Sequence, residues 1–246
     1  MRQHDKIINM AAKKVLNSHG LFRKGTSRTW LDDNGYFMIF VVFDASNWSQ
    51  GSYLGVGIDF LWEKWEGLND TFAYDYGSRG NEFCKYTGND IAFQTKMEKF
   101  AEQGLQKVME YRSFREMDYA QKCLWQSLSD TPEKQRFWEI YHFAMLCFLM
   151  GDFENGARSF DTFLETLKEG FHIDWHEAFY KHCIQHIKPF LTSKEAAQQM
   201  VLEMINRRRK LLSSKSSLQK MKKEELHKSS VSNNSSNTKY SLGFFS

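Results

Sequence analysis

The chain predicts an α+β protein: an N-terminal antiparallel sheet of three to four strands with packed helices, followed by an α-helical hairpin region. Three observations lead there. Tyr36–Phe43 is an unbroken apolar run rich in aromatic and β-branched residues, directly behind the dipeptide Asn34-Gly35. A run that short behind a turn reads as a strand covered on both faces. Residues 53–62 alternate with period two. From Asn89 onward the apolar spacing is helical, and prolines occur only at 132 and 189.

The elements follow in order. A first helix is expected over Asp5–Ser18, with Ile8, Ala11, Ala12, Val15 and Leu16 on one face and Gly20 as its stop. Arg28–Asp32 should pair antiparallel with Tyr36–Phe43 through Asn34-Gly35. Both of those residues tolerate the positive φ of a type I′ turn. Asp44–Gly51 is a loop carrying Trp48. In the next strand Leu54, Val56, Ile58, Phe60 and Trp62 form the core side, with Tyr53, Gly55, Gly57, Asp59 and Leu61 opposite. After a polar excursion holding Trp65, the alternation of Phe72, Tyr74 and Tyr76 suggests a fourth strand closed by Arg79 and Glu82.

Helical stripes then run from Phe93 to Tyr111, capped by Asn89 or Asp90, and from Phe114 to Leu128. Thr131-Pro132-Glu133 reads as the start of a helix bearing Phe137, Ile140, Tyr141, Ala144 and Phe148. A turn at Met150-Gly151-Asp152 leads to a stripe from Phe153 to Leu167, stopped by Gly170. Asp174 should cap a helix with Trp175, Phe179, His182 and His186, and Thr192 with Glu195 forms a capping box for the last helix. Beyond Ser213 the chain is rich in serine, asparagine and lysine, and too poor in apolar residues to offset ordering entropy. The domains predicted are 1–112 (α+β), 113–212 (helical) and 213–246 (a disordered basic tail).

The net charge of +3 hides an asymmetry. From Arg207 to the end there are ten Lys/Arg and two Glu, a local +8, which leaves 3 − 8 = −5 for the rest. A nucleic-acid contact, if any, is therefore expected through the tail alone. The Arg207–Lys210 run also suits a helix C-terminus, where cations favour the helix dipole. No apolar segment approaches a membrane-spanning length, and the N-terminal residues lack the apolar core of a secretory signal. Cys84, Cys123, Cys147 and Cys183 are widely spaced, with no CxxC, which suits reduced thiols and a cytoplasmic location.

Candidate ligand- or partner-binding residues are Arg28, Trp48, Tyr53, Gly55, Gly57, Asp59, Trp65 and Arg79. Strand glycines mark a bulge or the close approach of another backbone or a ligand, so a ligand over Gly55 and Gly57 beside Asp59 is one expectation. Loop tryptophans at 48 and 65 suit partner anchoring. His172/His176 and His182/His186 each show the i, i+4 spacing of helical zinc ligands. The two pairs are offset by ten residues and lack the His-Glu-x-x-His order, so satisfied histidines are the preferred reading and no metal or cofactor is expected. No Gly-x-Ser-x-Gly, Walker loop or dinucleotide fingerprint occurs.

Two resemblances add to this. GLFRKGTSRTW after the first helix, SNWSQGSYLGVGID and YGSRGNEF resemble a bacterial family in the domain-of-unknown-function series, number four thousand three hundred and four. The resemblance covers roughly residues 5–110, with Leu21 interposed before Phe22. It implies a fold and carries no activity. AMLCFLMGDFENGARSFDTFL resembles a tetratricopeptide-type helical hairpin through Ala144, Gly151, Phe153, Gly156, Phe160 and Phe163. Gly156 replaces the usual alanine, and no second copy follows at the repeat period. The function expected is that of a non-enzymatic protein-binding module. The alternatives are a small-molecule binder or enzyme using the Gly55/Gly57/Asp59 face, and nucleic-acid association through the basic tail.

Overall fold

A computed structural model describes residues 2–62, 72–132, 136–170 and 174–228. They form two compact units: residues to Ser113 together with Arg208–Glu224, and Phe114–Arg207 with the described residues from Glu225.

The first unit is built on a five-stranded antiparallel sheet in simple meander order, β1 (Phe22–Arg23), β2 (Thr29–Asp33), β3 (Phe37–Asp44), β4 (Gly51–Phe60) and β5 (Tyr76–Lys85). This exceeds the three to four strands expected. The added strands are the two-residue edge at Phe22 and a long β5 that begins where the alternation of Phe72, Tyr74 and Tyr76 ends. Arg79 and Glu82 lie inside β5 instead of closing a strand.

The β2–β3 turn also differs. Asn34 N donates to Phe37 O (3.0 Å), so Gly35 and Tyr36 are the central pair. Positive φ occurs at Gly35 (86°) and at no non-glycine residue among those described. That fits a type II′ pattern with glycine first, displaced by one residue from the expected Asn34-Gly35 centre. Asp33 Oδ1 accepts from Gly35 N (3.1 Å) and helps hold the turn.

From Gly55 to Phe60, β4 is buried on both faces, so its core side is not distinguished from an outer side as the alternation predicted. Helix α2 (Asp90–Tyr111) packs on one face, and α1 (Gln3–Leu16) packs beside α2. They run in the same direction: Gln3 Nε2 donates to Asp90 Oδ2 (2.7 Å), Lys14 pairs with Glu98 (2.8 Å), and Arg112 Nη2 donates to His19 O (2.7 Å). Gly104 lets α2 approach closely, since a Cβ there would lie 3.1 Å from Val41 and 3.5 Å from Leu54. Asn89 Oδ1 caps α2 by accepting from Ala92 N (3.1 Å).

The opposite face, carrying Asp33 and Asp59, receives Arg208–Glu224. Leu212, Leu218 and Met221 are buried there. This corrects the expected boundary at 212 and the disordered tail from 213, as far as residue 228. Residues 229–246 lie outside the described residues.

The second unit holds α3 (Met117–Asp130), α4 (Phe137–Met150), α5 (Phe153–Glu169), α6 (Asp174–His186) and the residues of α7 (Lys194–Ser214) up to Arg207. Every residue of α4 from Ile140 to Leu149 is buried, as befits a central helix that is apolar almost all round. Gly151 (φ 78°) makes the tight turn into α5. Gly156 lies against Phe148, where a Cβ would come within 2.6 Å of the ring.

Two helix boundaries differ from expectation. Thr131 closes α3, with its hydroxyl donating to Ser127 O (2.8 Å), and does not open α4. Residues 133–135, including the expected Glu133, lie outside the described residues. The last helix is capped by Ser193, whose Oγ accepts from Ala196 N (3.2 Å), and not by Thr192. No helix among the described residues is long and apolar enough to cross a membrane.

Candidate functional site on the sheet

The loop between β3 and β4 carries Trp48, which is 94% exposed. The loop is held at both ends. Trp48 N donates to Ser46 Oγ (3.1 Å), and Ser52 Oγ donates to Asp44 O (3.2 Å). Where β4 starts, Gly51 (φ 144°) lies so close to the carbonyl of Cys84 that no side chain fits. A tryptophan kept in water on an anchored loop has no folding reason to be there.

Next to the loop, cross-strand pairing builds a ladder on the face opposite α2. Asp44 is paired with Tyr53, and Tyr53 with Phe83. The Tyr53 and Phe83 rings lie 4.8 Å apart, and the Arg79 guanidinium sits 4.7 Å from the Tyr53 ring centre while donating to Asp44 Oδ2 at 3.0 Å. Both members of that ion pair are well exposed, so it orients the guanidinium more than it stabilises the fold. Arg79 reaches this position beside a β-bulge: the β4–β5 register shifts between Tyr53 and Gly55.

Tyr74 continues the strip. Its ring packs edge-on against Phe40 (4.8 Å) and lies over Gly55 and Gly57. A Cβ at Gly57 would be 2.7 Å from both rings, and one at Gly55 would run into the Tyr74 hydroxyl. The space expected for a ligand above the two glycines is therefore filled by the chain's own aromatic side chains. Burial first, and then the Asp44 carboxylate, push the Tyr74 phenol up to about 12, with Arg79 opposing. At neutral pH it is a protonated hydroxyl able to donate or accept. Phe72, with Lys24 Nζ 5.0 Å from its ring centre, ends the strip.

Among the expected site residues, Tyr53 and Arg79 come together here, and Trp48 lies on the adjoining β3–β4 loop. Arg28 serves the fold: it pairs with Asp5, donates to Gly51 O (3.0 Å), and its side chain is 14% exposed. Asp59 is fully buried, accepting from Arg208 Nη2 (2.8 Å) and Ala73 N (3.2 Å). Trp65 and His172 lie outside the described residues. His176 is buried against Trp175 and Phe137, with ring centres 4.1 and 5.4 Å away. The His182 and His186 rings are 4.9 Å apart on α6, and His186 is exposed. No group of three His, Cys, Asp or Glu able to hold a metal occurs among the described residues.

The chain matches no family model, no curated protein and no solved structure.

Asp44, Tyr74 and Phe83 are not among the binding residues expected from the sequence. The glycine pair was the available signal for Tyr74, because two missing side chains on one strand face leave a volume that an aromatic ring can fill. The strip offers ring faces, one oriented guanidinium and a protonated phenol. Its chemistry is that of recognition by stacking, cation–π contact and hydrogen bonding.

Proposed function

We propose that the chain is a protein-binding module whose partner docks on the strip formed by Trp48, Tyr53, Tyr74 and Arg79. The observation that carries this reading is the 94% exposure of Trp48 on an anchored loop next to an arginine already oriented over a tyrosine. Trp, Tyr and Arg are the residue types that dominate interface energetics, and they do so when a partner excludes water from them. Pre-orientation of Arg79 by Asp44 lowers the ordering cost on binding. The α4–α5 hairpin, in this reading tetratricopeptide-like, serves as scaffold. Cys84, Cys123, Cys147 and Cys183 form no disulfide with one another, which supports a reducing, cytoplasmic setting.

The test compares wild type, Trp48→Ala, Arg79→Ala and a control, Ile91→Ala, as baits in cross-linked native extract. Ile91 is 83% exposed and lies on α2, away from the strip. A protein held by wild type and the control and lost by both strip variants supports the proposal. Equal capture by all four baits overturns it.

A further inference from the structure

Between Arg208 and Glu224 seven lysines and arginines stand against one glutamate. The structure sorts six of them into two sets, and the seventh, Lys215, is partly buried and partnered. Arg208 and Arg209 turn inward: Arg208 donates to Asp59 (2.8 Å) and Phe60 O (2.6 Å), and Arg209 to Asp33 (2.6 Å) and Gly35 O (2.8 Å). Both are buried, and their charge is spent inside the unit. Lys210, Lys220, Lys222 and Lys223 turn outward. All four are exposed, and none makes an ion pair with a described residue.

The backbone that carries them is folded onto the unit. The Lys222 backbone is pinned from both sides, its N–H donating to Asp33 Oδ2 (2.9 Å) and its carbonyl accepting from Arg209 Nη2 (2.7 Å). Ser217 lies against Gly25, where a Cβ would be 3.1 Å from its own, so the segment passes beside the β1–β2 turn. Lys24 in that turn stands over Phe72, next to Phe40 and the half-exposed Tyr74. Of the segment's apolar residues, Leu212, Leu218 and Met221 point into the unit, and Leu211 is 46% exposed.

We propose that this folded segment, with Lys24, is a binding site for the phosphate backbone of single-stranded nucleic acid. Four ammonium groups unpaired among the described residues, on a segment whose backbone is already folded, neutralise phosphates without a backbone ordering cost, and lysine acts as a point charge that reads no sequence. Phe72 and Tyr74 beside Lys24 supply the ring faces on which bases stack. An anionic bilayer fits less well, because Leu212, Leu218 and Met221 are turned away from the surface and the exposed Leu211 is a single side chain, not the apolar face an interfacial helix inserts. This inference does not rest on the protein-docking proposal: it uses different cations, the Trp48 loop takes no part in it, and the two surfaces share only Tyr74.

The experiment is fluorescence anisotropy of a labelled oligo-uridine of about 20 nucleotides with the full chain. Wild type is set against a variant with Lys210, Lys220, Lys222 and Lys223 all changed to Ala, and a second with all four changed to Arg. Circular dichroism and thermal unfolding are recorded for each. Wild type should bind, and its affinity should fall steeply with salt. The alanine variant should lose at least tenfold in affinity, and its log–log salt slope should flatten by about 3 if each lysine meets one phosphate. The arginine variant should bind like wild type. Absence of binding by wild type at about 50 mM salt overturns the proposal. So does an alanine variant that keeps its fold, affinity and salt slope. If the alanine variant fails to fold, the wild-type salt slope decides: a slope shallower than about −2 rejects a multi-phosphate contact. Tighter binding to vesicles of phosphatidylcholine with phosphatidylserine than to the oligonucleotide overturns the choice of partner.

Discussion

Arg208 donates to Asp59 at 2.8 Å with the arginine side chain 4% and the aspartate 0% exposed, across 149 residues of sequence. A charge pair so enclosed is of modest net value compared with a well-packed apolar pair, yet it is costly to break on one side. Asp59→Ala strands a buried guanidinium and should destabilise the first unit by about 3–5 kcal/mol. Arg208→Met combined with Asp59→Ala should recover much of that loss. Urea unfolding of the two variants, followed by tryptophan fluorescence, reads the difference. Equal midpoints for the single and double variants would contradict the pairing.

Gly55→Ala should act on Tyr74 and, through Val42, on stability. The new methyl meets the free end of a tyrosine ring, which can swing outward into water, and it would also lie 2.9 Å from Val42, which has to give way. Once outside, the phenol loses the burial that raises it to about 12, and it should titrate near the ordinary tyrosine value of about 10. Spectrophotometric titration of phenolate near pH 11, with Tyr74→Phe as reference, checks this. Gly57→Ala differs, because the methyl would press on Phe40, which is 3% exposed. Overpacking there should cost about 1–3 kcal/mol.

Acid should weaken the N-terminal helix in two stages. His4 is 2% exposed, and burial holds its pKa below 6.5, with Arg28 and Arg2 adding to the effect and Asp5 opposing it. The unfolded chain therefore binds this proton first, and stability falls as pH drops below 6.5. Asp5 is held below 3.8 by its hydrogen bond to Arg28 and by that charge, against the burial that would raise it. Its contribution is present above 3.8 and lost as pH falls further. Unfolding midpoints measured from pH 7 downward should decline, and His4→Gln should flatten the first stage while leaving the second.

Ser193→Ala should cost about 1 kcal/mol, because the hydroxyl that accepts from Ala196 N satisfies one of the open donors at the start of α7. Thr192→Ala should cost only a few tenths. Thermal unfolding distinguishes the two, and the reverse order would restore Thr192 as the cap.

Local chemistry determined much of this molecule. An eight-residue apolar run behind Asn34-Gly35 cannot be satisfied except by cover on both faces, and it became β3 at the middle of the sheet. Gly20, Asn89 and Gly151 mark helix ends because backbone geometry or a cap demands those residue types, and the helices stop or start there. Adjacent options were harder to separate. Thr192 and Ser193 are equivalent by type, as are the turn centres Asn34-Gly35 and Gly35-Tyr36, and only cross-strand register and helix phase choose between them.

What the tertiary structure alone decided were relations between distant residues. Arg208 and Arg209 read as a solvated helix end, because nothing nearby in sequence announces that Asp59 and Asp33 wait for them. Gly55 and Gly57 announce missing volume, and whether a ligand or Tyr74 fills it depends on where the chain returns after Trp62. Burial and charge pairing act through space, so a linear pattern can show that a group needs a partner but not which one it meets.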